Sequence, residues 1–271
     1  MNLKYIGKDK EEKKVIDLGD NVKIGDNNFT IIGGPCSVES RSQIEKIASY
    51  LSEKNIKILR GGAFKPRTSP YSFQGLGFEG LKYLKECGEK YNMKIVSEIL
   101  DPRDVEDAID YVDIIQIGSR NMQNYTLLKE VGKVNKPVML KRGMTATIEE
   151  WLMAAEYIAL EGNDNIILCE RGIRTFDNYT RNTLDLTVVP ILKALTKLPI
   201  IIDPSHGTGV RRLVAPMSKA SAAVEADGIM VEVHFSPEEA LSDGHQSIDF
   251  RAFDELIEET NRVFDCISGI K

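Results

Sequence analysis

Eight short apolar runs rich in β-branched residues recur along this chain, and the stretches between them carry helical periodicity. The runs are Phe29–Ile32, Ile56–Leu59, Lys94–Val96, Val112–Ile117, Pro137–Leu140, Ile166–Leu168, Pro199–Ile202 and Gly228–Val231. Six of the eight lack polar alternation, as strands of a parallel sheet buried on both faces do. The segments between them have recognisable starts. Ser40-x-x-Gln43 has capping-box spacing and precedes Ile44, Ile47, Ala48 and Leu51 on one helical face. Thr147-x-x-Glu150 opens a helix carrying Trp151, Leu152, Ala155 and Ile158, and Ser236-Pro237-Glu238-Glu239 and Asp101-Pro102 read as helix starts too.

Eight strands alternating with helices over 271 residues match one closed barrel of roughly 250 residues better than an open doubly wound sheet. No strand end carries a G-x-G-x-x-G or P-loop pattern, which weakens a nucleotide-binding sheet further. The expected fold class is α/β, a (β/α)8 TIM barrel with a short N-terminal β-hairpin extension. Residues 1–28 form the extension, with Val22–Phe29 expected as the hairpin turn, and residues 29–271 form the barrel. A closing helix is expected over Ala252–Phe264, with Phe253, Leu256, Ile257 and Phe264 facing inward.

Composition narrows the partner. The formal net charge of −6 disfavours nucleic acid and membrane surfaces, which are themselves anionic. No segment approaches the ~18 uninterrupted apolar residues of a membrane helix. The N-terminus has no apolar run behind its charges, so the chain is read as cytoplasmic. Four cysteines without a C-x-x-C pair argue against a disulfide framework or a zinc ribbon. Cys87, Cys169 and Cys266 are read as packing or surface residues.

Barrel chemistry is built at the C-terminal ends of the strands. Four runs end in cations there: Arg60, Arg120, Lys141 with Arg142, and Arg171. Any one alone reads as a salt-bridged surface residue. Four on one rim of an acidic chain point to an anionic substrate, because packed like charges destabilise a fold until an anion neutralises them. The loop Gly61–Pro70 adds Lys65, Arg67, Thr68 and Ser69, donors suited to a second phosphate. Cys36, His206 and Glu232 follow the first, seventh and eighth runs, which are neighbours in a closed barrel, and Asp243 lies in the next loop. A thiolate, an imidazole and two carboxylates would suit Mn, Fe, Co or Zn better than Mg. The residues alone leave that site open against a buried cysteine and a hydrogen-bonded histidine.

Taken in order, Gly34-Pro35-Cys36-Ser37, Lys65-Pro66-Arg67-Thr68-Ser69, Ile117-Gly118-Ser119-Arg120-Asn121, Lys141-Arg142-Gly143 and Asp203-Pro204-Ser205-His206 resemble the 3-deoxy-D-arabino-heptulosonate 7-phosphate (DAHP) synthases, type I, beta subgroup. The likeness runs from about Phe29 to the C-terminus and departs from the family at Ser119, where alanine is usual. It implies condensation of phosphoenolpyruvate with erythrose 4-phosphate and water, the first step of the shikimate pathway to aromatic amino acids. It also implies one divalent metal ion (Mn, Fe, Co or Zn class) held by Cys36, His206, Glu232 and Asp243, with the ion polarising the aldehyde.

The resemblance places phosphoenolpyruvate on Arg60, Lys65, Arg120, Lys141 and Arg171, with the backbone at Gly118 and Ser119, and the erythrose 4-phosphate phosphate on Arg67 and Thr68. Lys65 and Glu98 are the expected catalytic groups beside Cys36 and His206; Lys65 steadies the aldehyde oxygen and Glu98 orients the water. A homo-oligomer, dimer or tetramer, and a separate chorismate mutase are the macromolecular partners it suggests. With no room for an added regulatory domain, insensitivity to Phe and Tyr is expected. Two alternatives stand beside it. One is a 3-deoxy-D-manno-octulosonate 8-phosphate synthase using arabinose 5-phosphate, disfavoured by the Lys65–Ser69 loop. The other is a non-catalytic phosphosugar-binding barrel, disfavoured by the intact ligands and cations.

Overall fold

The computed structural model describes residues 2–8 and 13–269. A two-stranded antiparallel hairpin, β1 (Ile16–Asp17) and β2 (Lys23–Ile24), precedes a closed parallel barrel. The barrel strands are β3 (Thr30–Gly34), β4 (Ile58–Arg60), β5 (Lys94–Glu98), β6 (Ile114–Ile117), β7 (Val138–Lys141), β8 (Ile166–Glu170), β9 (Ile200–Ile202) and β10 (Gly228–Glu232), with β10 closing onto both β9 and β3. All eight expected runs are strands. Five of them extend past their apolar residues into polar ones, because ladder pairs such as Glu98↔Gln116, Lys141↔Cys169 and Glu232↔Gly34 join backbones whatever the side chain.

Side chains alternate along each strand, and this divides the core in two. Outward residues, among them Ile31, Leu59, Leu140, Leu168 and Val231, pack against the surrounding helices. Inward residues fill the barrel: Ile32, Ile58, Val96, Ile114, Met139, Ile167, Cys169, Ile201 and Met230. Ile16, Val22 and Ile24 of the hairpin join this inner cluster and stopper the N-terminal end of the barrel. Ile24→Ala should lower unfolding free energy by about 2–5 kcal/mol, since it opens a cavity in a packed interior. Chemical denaturation of the two proteins measures this, and an unchanged midpoint would contradict the stopper.

Three local expectations need correction. The hairpin turn is not Val22–Phe29; it lies at Leu18–Val22, where Val22 N donates to Gly19 O at 2.9 Å. Gly19, Asp20 and Asn21 all take positive φ there, a conformation these three residue types tolerate best. Ser236 caps no α-helix: Pro237–Glu239 is a single 3-10 turn, and the chain doubles back so tightly that a Cβ on Gly244 would lie 2.0 Å from Pro237 O. Asp101 does cap, accepting from Arg103 N, but the helix that follows covers only Val105–Ala108. Elsewhere the starts hold, with Ser40 accepting from Gln43 N and a full capping box at Thr147–Glu150. The closing helix spans Phe250–Ser268 with Phe253 and Leu256 buried.

Candidate active site at the C-terminal mouth of the barrel

The alternation that fills the barrel also sets what stands at its mouth. Two residues beyond each inward apolar residue, the same face carries Arg60 after Ile58, Glu98 after Val96, Gln116 after Ile114 and Lys141 after Met139. It carries Arg171 after Cys169, Asp203 after Ile201 and Glu232 after Met230. On β3 that place is Gly34, with Cys36 one step further. Arg142 has the opposite parity and faces the helices, where it donates to Glu170 and Asp185 at 3.0 and 3.1 Å beside the Trp151 ring. It is a structural ion pair outside the mouth.

One side of the mouth gathers Cys36, His206, Glu232 and Asp243, whose ligand atoms all lie within 4.8 Å of one another. Asp203 Oδ2 lies 2.7 Å from His206 Nδ1, which fixes the ring and leaves Nε2 facing Glu232 Oε1, 3.2 Å away. Burial pushes the His206 imidazole below its ordinary value against the pull of Asp203 and Glu232, the direction that a metal ligand, bound through a neutral ring, needs. Burial also lifts Asp243, but His206 and Arg181 outweigh it and hold the carboxyl at about 2. For Asp203, His206 and Lys141 likewise overcome burial and keep it well below the usual range. Burial lifts the Cys36 thiol, which its neighbour Glu232 reinforces. Asp243 takes φ +51, a left-handed conformation that aspartate tolerates, in the turn that carries its carboxylate to the cluster. Soft, borderline and hard donors converging on one point fit a divalent transition ion.

The other side is a cationic cavity lined by Arg60, Lys65, Arg67, Arg120, Lys141, Arg171 and Arg181, with Glu98, Gln116, Gly118 and Ser119 among them. Lys65 bridges the two sides: its Nζ donates to both the Sγ and the carbonyl of Cys36 at 3.1 Å. Arg171 is 4% exposed and bonds only Gly172 O, at 3.3 Å, among the described residues, while Arg60 leaves its buried Nε without a partner. Buried guanidinium groups so incompletely paired are stabilised by an incoming anion. Burial raises Glu98 above its ordinary value, opposed by Lys65, Lys141 and Arg120.

Arg67 reaches the cavity while donating to Phe73 O and to Ser242 Oγ. Thr68 stands outside the lining, exposed on its loop. A Cβ on Gly118 would lie 1.9 Å from Glu98 Oε1. Gly118→Ala should therefore displace Glu98 and reduce kcat at least tenfold with little change in melting temperature; parent-like turnover would show that Glu98 has another place to go.

Four lining or supporting residues have no role in the sequence reading, Asp203 among them, which enters there only as part of a motif. Gln116 could have been found by strand parity. Arg181 sits in an irregular loop after β8 with no periodic signal. Gln246, three residues past Asp243, donates to Glu232 Oε2 at 2.7 Å.

A parallel barrel whose mouth sets a sulfur, nitrogen and oxygen donor cluster against a cavity lined by seven cations, some of them paired with carboxylates, defines a class, the metal-dependent barrel enzymes of anionic substrates. Within that class, residues 9–266 match the DAHP synthetase I family, and the chain belongs to it. It is 58% identical over 260 residues to phospho-2-dehydro-3-deoxyheptonate aldolase of Thermotoga maritima, spanning 96% of this chain and 76% of that one. The crystal structure of DAHP synthase from the same organism superposes with a TM-score of 0.95 at 56% identity, covering 98% of this chain and 78% of the other. A 2-dehydro-3-deoxyphosphooctonate aldolase of Syntrophobacter fumaroxidans is 31% identical over 254 residues, 87% of each chain. Among the described residues no helix is long and apolar enough to cross a membrane.

Proposed function

We propose that the chain condenses phosphoenolpyruvate with D-erythrose 4-phosphate and water, giving 3-deoxy-D-arabino-heptulosonate 7-phosphate and inorganic phosphate, the first step of the shikimate pathway. The observation that carries this is Lys65, whose ammonium lies 3.1 Å from Cys36 Sγ and lines the cationic cavity, so that the donor cluster and the anion cradle share one reacting space. Cys36, His206, Glu232 and Asp243 would hold the ion, of the Mn, Fe, Co or Zn class. Bound there, it supplies Lewis acidity toward the aldehyde oxygen.

The chain's own groups do the rest. Arg60, Lys141 and Arg171, the deepest cations, with Arg120, hold the phosphate and carboxylate of phosphoenolpyruvate and fix its C3 for attack on the aldehyde carbon. Lys65 donates a hydrogen bond to the aldehyde oxygen as negative charge develops on it. Attack leaves positive charge at C2, and Glu98, in the same lining, orients the water that adds there and takes its proton. The resulting hemiketal phosphate loses inorganic phosphate. Arg67 at the rim takes the erythrose 4-phosphate phosphate; Thr68 joins only if its loop folds inward.

Residues 29–271 would be the catalytic unit and 1–28 its extension. Charged phosphorylated substrates support a cytoplasmic setting.

Loss of phosphoenolpyruvate's ultraviolet absorbance, followed with erythrose 4-phosphate or arabinose 5-phosphate, with Mn2+ and again with EDTA, tests the reading. Metal-dependent loss with erythrose 4-phosphate alone is expected. Loss with arabinose 5-phosphate alone would move the protein to the octulosonate branch, and the higher identity to the heptonate enzyme argues against that outcome.

A further inference from the structure

We propose that Gln246 is a positioning residue of the metal site, holding Glu232 in its ligand pose and, through Arg181, tying Glu232 to Asp243. The inference rests on the four-ligand reading above. Gln246 is wholly buried, and its side-chain amide has both ends engaged. Nε2 donates to Glu232 Oε2 at 2.7 Å, and Oε1 accepts from Arg181 NH1 at 3.1 Å. The same Arg181 nitrogen lies 3.6 Å from Asp243 Oδ1. One chain of contacts thus joins both carboxylate ligands: Glu232, Gln246, Arg181, Asp243.

The two oxygens of Glu232 are divided by their partners. Oε1 faces His206 Nε2 at 3.2 Å and Arg60 NH1 at 2.9 Å, on the side where the donors converge. Oε2 is claimed by Gln246, so the carboxylate cannot rotate its other oxygen toward the cluster without leaving a buried amide donor unpaired. Asp203 does the same for His206, fixing one ring nitrogen so that the other is presented. Gln246 also acts on Asp243 through the backbone. Its N–H donates to Asp243 O at 3.1 Å, closing the turn that keeps Asp243 at φ +51.

An amide supplies the donor and the acceptor that the two contacts need. A carboxylate at this position would set like charge against Glu232, and an apolar side chain would leave Glu232 Oε2 buried without a donor. Arg181 in turn comes from the loop after β8 and lines the substrate cavity, so the metal site and that loop are mechanically connected.

The test is Mn2+ titration of the metal-free protein by calorimetry, with competition against a chelator for the tighter forms. Gln246→Leu should weaken Mn2+ binding by about 10–100-fold, the usual effect of removing an outer-shell partner. Its metal-free melting temperature should fall somewhat, because Glu232 Oε2 loses its buried donor; an unchanged binding stoichiometry at the lowered affinity separates positioning from general damage to the fold. Arg181→Met should weaken Mn2+ several-fold, and the double variant should fall short of the product of the two single factors, because the residues act in one chain.

Parent-like Mn2+ affinity in Gln246→Leu would overturn the proposal. If Gln246→Leu does not fold, Arg181→Met decides, since that side chain is 37% exposed and its loss leaves the core intact; unchanged affinity there would overturn the link to Asp243. An unmodified protein that takes up no Mn2+ would overturn the ligand set itself, and the role of Gln246 with it.

Discussion

Cys36→Ser should bind its divalent ion at least 10–100-fold more weakly than the parent and lose most of its activity at limiting metal. Serine keeps the size and the backbone, so the change isolates the donor atom. A neutral hydroxyl is a far poorer partner than a thiolate for a transition ion. The Cys36 side chain is 3% exposed and faces Lys65 at 3.1 Å and Asp243 at 3.3 Å, so the replacement hydroxyl meets the same neighbours and the fold should hold. Metal content after dialysis, and activity titrated with Mn2+, give the two readouts. Equal metal content and equal activity in both proteins would remove Cys36 from the ligand set. Treatment with EDTA should abolish turnover in the parent, and added Mn2+ should restore it.

Glu98→Gln should reduce kcat by about 10²–10⁴-fold, the range for a lost general base, while phosphoenolpyruvate binding stays as tight or tightens. Glutamine matches glutamate in volume, so the packing against Gly118 and Gln116 is preserved. Losing one negative charge in a cavity lined by seven cations cannot weaken the hold on an anion by repulsion. Steady-state kinetics with calorimetry of phosphoenolpyruvate binding separate the two effects. Because burial raises Glu98, the acid limb of the parent's pH profile should lie above the ordinary carboxylate value and flatten in the variant. Parent-like kcat would exclude Glu98 as the group that handles water.

Most of the barrel was legible because β-branched runs and helix caps are local signals. The positions of Ser40 and Thr147, and all eight strands, follow from neighbours within four residues. That the cations and the four candidate donors share one mouth was legible because strand ends converge in a closed barrel even when far apart in sequence. What escaped depends on contacts that no local pattern encodes. The hairpin's role is one case: nothing local to Ile16 and Ile24 says what covers them, and only the closed barrel shows them consumed by its interior. Arg181 is another, since its loop has no periodicity and its meaning comes from Asp243, 62 residues later in sequence. Ser236 shows the reverse error, a good local cap signal overridden by the sharp return at Gly244.

The hairpin stopper has a bearing on traffic. With Ile16, Val22 and Ile24 corking the N-terminal end, the reacting space is a well filled and emptied at its rim. Lys141 and Arg171, each 4% exposed, sit low in that well, while Arg67 and Arg181, with side chains 19% and 37% exposed, stand near its lip. A molecule seated on the lower cations is roofed by whatever occupies the upper ones. In the proposed reaction the substrate held by the lower cations would therefore enter before the one held at the lip, and product would leave from the lip first.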